Sequence, residues 1–154
     1  MPAAERVATS ILRIGGNGRH RGPMPVMSLM REVEKGLSVT VLDEVARAVA
    51  PGDGAFASRI IPKATLSRRR KAFALADGDT AVLTPEEGGR VARVAEVWVS
   101  AIDVWGGEEA ARAFLFRPHP LLEGQRPMDV VLASEYGRPV VLDILGGLKH
   151  GTAV

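Results

Sequence analysis

The stretch "ATLSRRRKAF", residues 64–73, sets Arg68, Arg69, Arg70 and Lys71 in a row between apolar residues. Guanidinium groups fork onto phosphate oxygens and onto guanine edges, so such a run suits nucleic-acid recognition. It suits an ordinary solvated helix face as well, a reading that spacing alone leaves open, and helical geometry divides the run itself. Projected at about 100° per residue, Leu66 and Phe73 share one face, with Ala64, Ser67, Arg68 and Lys71 opposite and Thr65 at the margin. Arg69 and Arg70 flank the face expected to be buried. The small side chains at 64, 65 and 67 let such a helix sit deep in a major groove. Arg68 is placed to read a base edge, while its neighbours fix register through phosphates. The DNA-facing set on this reading is Lys63, Ala64, Thr65, Ser67, Arg68, Arg69, Arg70 and Lys71.

Enzymatic and metal chemistry find little support. The three histidines, His20, His119 and His150, are isolated, and none has metal-ligand spacing. Nucleophile elbow and phosphate-binding loop are both missing. Gly16, Gly18 and Arg21 give only an incomplete dinucleotide fingerprint. The acid pairs Glu86/Glu87 and Glu108/Glu109 fall in the first turns of expected helices, where they complement the helix dipole. With no cysteine there are no disulfides, no thiolate catalysis and no cysteine-ligated zinc. The reading is a protein without catalytic residues, metal or cofactor.

The elements that must carry the basic run are helical. Residues 1–27 are rich in Gly, Pro and Arg and read as a basic arm that includes Arg13, Arg19 and Arg21. Leu29, Met30 and Val33 give a short helix stopped at Gly36. Leu42, Val45, Ala46 and Val49 mark a second, capped by Ser38 or Thr40 and ended by Pro51-Gly52. "GDGAFASR" reads as a loop, with a small hairpin as the other option. Pro62 then opens the cationic helix, which runs to about Ala74. A short helix, a loop and a cationic helix follow one another in helix-turn-helix order. Thr84, Pro85 and Glu87 signal the start of a long helix whose apolar stripe includes Val91, Val94, Trp98, Ile102 and Trp105. Both tryptophans are expected in the core. Short helices follow over 108–116, 127–134 and 138–148, the last with Gly146-Gly147 in its closing turns. Two glycines weaken a helix by roughly 1 kcal/mol each relative to alanine, which suits a close backbone approach by a partner. Without a partner it implies a frayed end.

Charge divides the chain. Residues 1–75 hold 13 Lys/Arg against 6 Asp/Glu, and residues 76–154 hold 7 against 12. A net of +7 beside a net of −5 points to two surfaces with different partners. No apolar run reaches the roughly 18 residues of a membrane span, and "MPAAERVATS" lacks the apolar centre of a signal peptide. A cytoplasmic protein is expected.

The order of these pieces resembles the antitoxins of the Xre/MbcA/ParS type, partners of RES-domain toxins in type II toxin–antitoxin modules. "GLS" at 36–38 and "IPKATLSRRRK" at 61–71 are similar to the family's helix-turn-helix, with its pattern on Thr65, Leu66, Arg68 and Arg69. "LTPEEGGRVARVAEVW" at 83–98 is similar to the long helix that follows. "AARAFL", "EGQRPMDVV" and "EYGRPVVLDILGGLKHG" resemble the toxin-binding domain. Gly88, Phe114 and Gly147 depart from the family's usual serine, tryptophan and arginine. The pattern along the chain reads as all-α, and the resemblance implies a helix-turn-helix domain at 28–80, a connecting helix at 81–106 and a toxin-binding domain at 107–154. It implies a homodimer that binds operator DNA of its own operon and covers the active site of an NAD-degrading RES toxin. The toxin-contacting residues would be Tyr136, Gly137, Arg138, Val141, Leu145, Leu148, Lys149, His150 and Gly151. A stand-alone helix-turn-helix regulator with a C-terminal oligomerisation or ligand-sensing domain is the other function compatible with the residues.

Overall fold

The computed structural model describes residues 26–151. The expected basic arm, with Arg13, Arg19 and Arg21, and the incomplete glycine fingerprint lie outside these residues, apart from the arm's last two positions, which open the first helix. The described chain is all-α: α1 (Val26–Lys35), α2 (Val39–Val49), α3 (Phe56–Ile60), α4 (Lys63–Ala74), α5 (Gly78–Ala81), α6 (Pro85–Trp105), α7 (Glu108–Leu115), α8 (Pro127–Ala133) and α9 (Gly137–Lys149). A 3₁₀ turn occupies Pro120–Leu122. Among the described residues the sole extended pairing is an isolated bridge between Ser38 and Val82. The described residues fall into two compact units that divide within α6, between Ala92 and Arg93.

In the N-terminal unit, Ser38 caps α2 by accepting from the Thr40 N–H. One face of α2 is fully buried through Val41, Leu42, Val45 and Val49. Gly36 ends α1 at φ +98°, a backbone conformation that glycine adopts without strain. A side chain there would also overlap the Val82 Cγ1. The chain beside it is held by a 2.7 Å bond from the Leu83 N–H to the Leu37 carbonyl. Two expectations change in this unit. "GDGAFASR" is neither loop nor hairpin: it contains α3, whose Phe56, Ala57 and Ile60 are buried. Its apolar pattern is one turn long, too short to register as periodicity. Pro62 lies one residue before α4, at its N-cap, so only Ile61 and Pro62 separate α3 from α4.

α6 opens with a reciprocal capping box. The Glu87 N–H donates to Thr84 Oγ1 and the Thr84 N–H donates to Glu87 Oε1, as the sequence signature predicts. In the C-terminal unit, Trp98 is fully buried among α6 neighbours that include Val94, Ala95 and Ala101. The Arg112 guanidinium lies 5.2 Å from the Trp98 ring centroid, within cation–π range. Trp105, expected in the core, is 44% exposed, because α6 ends there and Gly106 turns the chain at φ +79°. α8 and α9 pack on each other, with Met128, Val131, Val141 and Leu145 almost wholly buried.

Candidate functional site

α4 carries the basic run, but its buried line differs from the simple wheel. Leu66 is buried as expected, whereas Phe73 is 53% exposed and Ala72 takes its inward place. The helix turns the Arg69 edge inward because part-buried polar partners wait there. The Arg69 Nη1 donates to the Thr80 carbonyl at 2.9 Å, and its Nη2 to Glu87 Oε1 at 2.9 Å. Both side chains of this ion pair are only 13% exposed. Arg69 Nε is buried without a partner among the described residues. Glu87 therefore serves two helices, closing the capping box of α6 and holding α4.

The other cations of α4 face outward. Lys63, Ala64, Ser67, Arg68 and Lys71 are exposed, and Thr65 is half-buried. Arg70 is exposed yet paired with Asp43 of α2 at 2.5 Å. Among the described residues, Lys63, Arg68 and Lys71 have no ion-pair partner, so their charge faces solvent undiminished. Of the eight residues expected at a nucleic-acid surface, Arg69 is the one turned inward by its bonds. An open cleft of about 400 Å³ beside Arg70 is lined by Asp43, Arg47 and Asp53 as well, so acids offset its cations. No group of three or more His, Asp or Glu among the described residues is placed to hold a metal ion.

The second candidate surface is on α9. Tyr136 stands 77% exposed before its first turn, and Lys149, His150 and Gly151 are exposed at its end. Lys149 pairs with Asp103 at 2.5 Å, and Arg138 pairs with Glu96. Leu148 is half-buried. Gly137, Val141 and Leu145 face the interior of the unit and support this surface from beneath. Gly146-Gly147 are fully inside α9, and a Cβ at Gly146 would meet open space.

These surfaces gain meaning from comparison. A family model for the antitoxin Xre/MbcA/ParS C-terminal toxin-binding domain matches residues 100–151. The chain is also 34% identical over 125 residues to an Antitoxin Xre of Yersinia enterocolitica (serotype O:8 / biotype 1B), covering 80% of this chain and 79% of the relative. The chain belongs to the Xre antitoxin family. As an Xre-family antitoxin it carries a toxin-binding domain, so its protein partner is a toxin. The matched span holds α7, α8, α9 and the end of α6, including every α9 residue singled out in the sequence. No helix among the described residues is long and apolar enough to cross a membrane.

The sequence missed two contributors. Glu87 was legible as a cap but not as the partner of Arg69, since nothing in a sequence pairs residues 18 positions apart across two helices. The loop around His119 carried no periodic signal at all.

Proposed function

We propose that this Xre-family antitoxin neutralises an NAD-degrading RES-domain toxin by covering its active site, and represses its own operon by binding operator DNA as a homodimer. It acts in the cytoplasm and has no catalytic activity of its own. The observation that carries the reading is the toxin-binding-domain match over residues 100–151. The exposed ends of α9, Tyr136 on one side and Lys149, His150 and Gly151 on the other, are the contacts assigned to the toxin. In the N-terminal unit, α3, the two-residue turn Ile61-Pro62 and α4 form the helix-turn-helix, and α4 is the recognition helix. The basic half then faces phosphates and the acidic half faces the toxin.

Co-expression tests the toxin half. Cells producing a RES-domain toxin should lose NAD, and production of the antitoxin should restore it. NAD that stays depleted with the antitoxin present at equal abundance would sink the assignment.

The DNA half makes a separate prediction. Arg68 is exposed and has no ion-pair partner among the described residues. If it forks onto a guanine, Arg68→Ala costs about 1–3 kcal/mol of discrimination at one operator position. The measurement is a competition binding series with single-base operator variants. A uniform loss across all variants, with a salt slope lowered by about one, would reassign Arg68 to a phosphate.

A further inference from the structure

The segment His119–Gln125 is held shut by its own backbone. The His119 N–H donates to the Gln125 carbonyl at 3.0 Å, and the Gly124 and Leu122 N–H groups both donate to the His119 carbonyl at 3.0 Å. His119 Nδ1 accepts from the Leu121 N–H at 3.2 Å, capping the 3₁₀ turn. Pro118 and Pro120 flank His119 and fix φ on either side. Glu123 holds the left-handed conformation at φ +55°, uncommon for a residue with a side chain and kept only where the surroundings impose it. Within this closed loop two adjacent leucines part company. Leu122 is buried and anchors the turn, while Leu121 projects from its tip, 51% exposed.

The loop is backed by a series of rings. The His119 ring meets Phe114 edge-on at 5.8 Å between centroids, and Phe114 meets Trp105 at 5.7 Å. Phe114 is buried at the centre of the series, and Trp105 is 44% exposed at its far end. The unit fills its core without these outer groups: Trp98, Leu115, Met128 and Leu145 are almost wholly buried. Leu121 and Trp105 therefore stand as apolar side chains that folding does not require to be exposed. Arg117, Glu123 and Arg126, all exposed, give the loop a polar border. Exposed apolar side chains set among polar ones are the composition of a protein interface, and tryptophan is among the residues that anchor one. A rigid support removes much of the ordering cost of binding.

We infer that Leu121 and Trp105, presented by the His119–Gln125 loop and its ring support, form a second toxin-contacting surface beyond the ends of α9. The inference rests on the toxin-binding reading of residues 100–151, the span that contains all of these groups. The partner is the toxin itself, docking an apolar pocket over Leu121.

Calorimetric titration of the full-length antitoxin against the same RES-domain toxin tests it. Leu121→Ala is expected to weaken binding about tenfold, and Leu121→Glu about a hundredfold, with melting curves unchanged because the side chain is outside the core. Trp105→Ser is expected to cost about tenfold. If the wild-type chain fails to bind, the toxin reading falls and this inference falls with it. If the wild type binds and Leu121→Glu binds within about twofold, the second surface alone is wrong. A Leu121→Glu variant that keeps toxin affinity but changes sedimentation of the free antitoxin would assign the surface to self-association instead.

Discussion

Replacing Gly137 with alanine is expected to unfold the C-terminal unit and abolish toxin binding, although Gly137 is itself out of a partner's reach. Gly137 opens α9 against α8, and a Cβ there would overlap the Val130 carbonyl oxygen and lie 2.6 Å from its carbon. Those are backbone atoms, which have no rotamer to escape into. The helices must separate, and Val141, Leu145, Val131 and Met128, at most 1% exposed, would lose their packing. Overpacking of this kind costs about 3 kcal/mol or more when the backbone has to move, a large part of the stability of a small domain. Both tryptophans of the chain, Trp98 and Trp105, lie in this unit. A tryptophan-fluorescence melt therefore reports on it directly, and an unchanged midpoint would show that the α8–α9 approach is looser than described. The same packing limits what deletion from residue 138 onward can show, because it removes Val141, Ile144 and Leu145 from the core. Loss of protection by that truncation would report a collapsed unit as readily as a missing contact. Substitutions at the exposed Tyr136, Lys149 and His150 separate the two.

The sequence made the helical order legible because α2 and α6 repeat apolar residues over several turns and carry explicit start signals at Ser38 and Thr84. α3 was hidden for the opposite reason. Five residues span little more than one turn, and Gly52 and Gly54 before it read as loop. The wheel for α4 separated Arg68 and Lys71 correctly as outward groups, yet it put Phe73 inside. It weighed apolar residues only, and could not know that Thr80 and Glu87 would give Arg69 a part-buried destination. On α9, the resemblance named one set of toxin-contacting residues, whereas folding divides that set. Alternation along a helix sends Val141 and Leu145 inward and leaves Tyr136, Lys149 and His150 outside. The His119–Gln125 loop was illegible because most of the bonds that close it are between backbone groups, which nearly any residue type supplies, and the His119 ring that caps it has no periodic signal to announce it.

Replacing Arg69 with methionine is expected to destabilise the N-terminal unit by about 3 kcal/mol and, through that loss, to abolish operator binding. α4 has twelve residues and buries only Leu66 and Ala72 among its apolar ones. Its orientation therefore depends on the bonds from Arg69 to Thr80 and Glu87 rather than on a broad apolar face. Methionine matches much of the arginine stem but takes the donor from the Thr80 carbonyl and leaves the Glu87 carboxylate with the Thr84 N–H alone and no cation, and a largely buried charge without its counter-ion is costly. Lysine keeps the charge but lacks the fork that reaches both acceptors at once, so Arg69→Lys should fall between. The measurement is a urea unfolding midpoint followed by far-ultraviolet circular dichroism on the free protein, and then a mobility shift with operator. Unfolding at the wild-type midpoint combined with lost operator binding would show that Arg69 touches DNA after all. Arg68→Ala supplies the opposite pattern in the same pair of assays, with stability kept and base discrimination lost. The order of the two losses thus distinguishes the arginine that aims the helix from the arginine that reads.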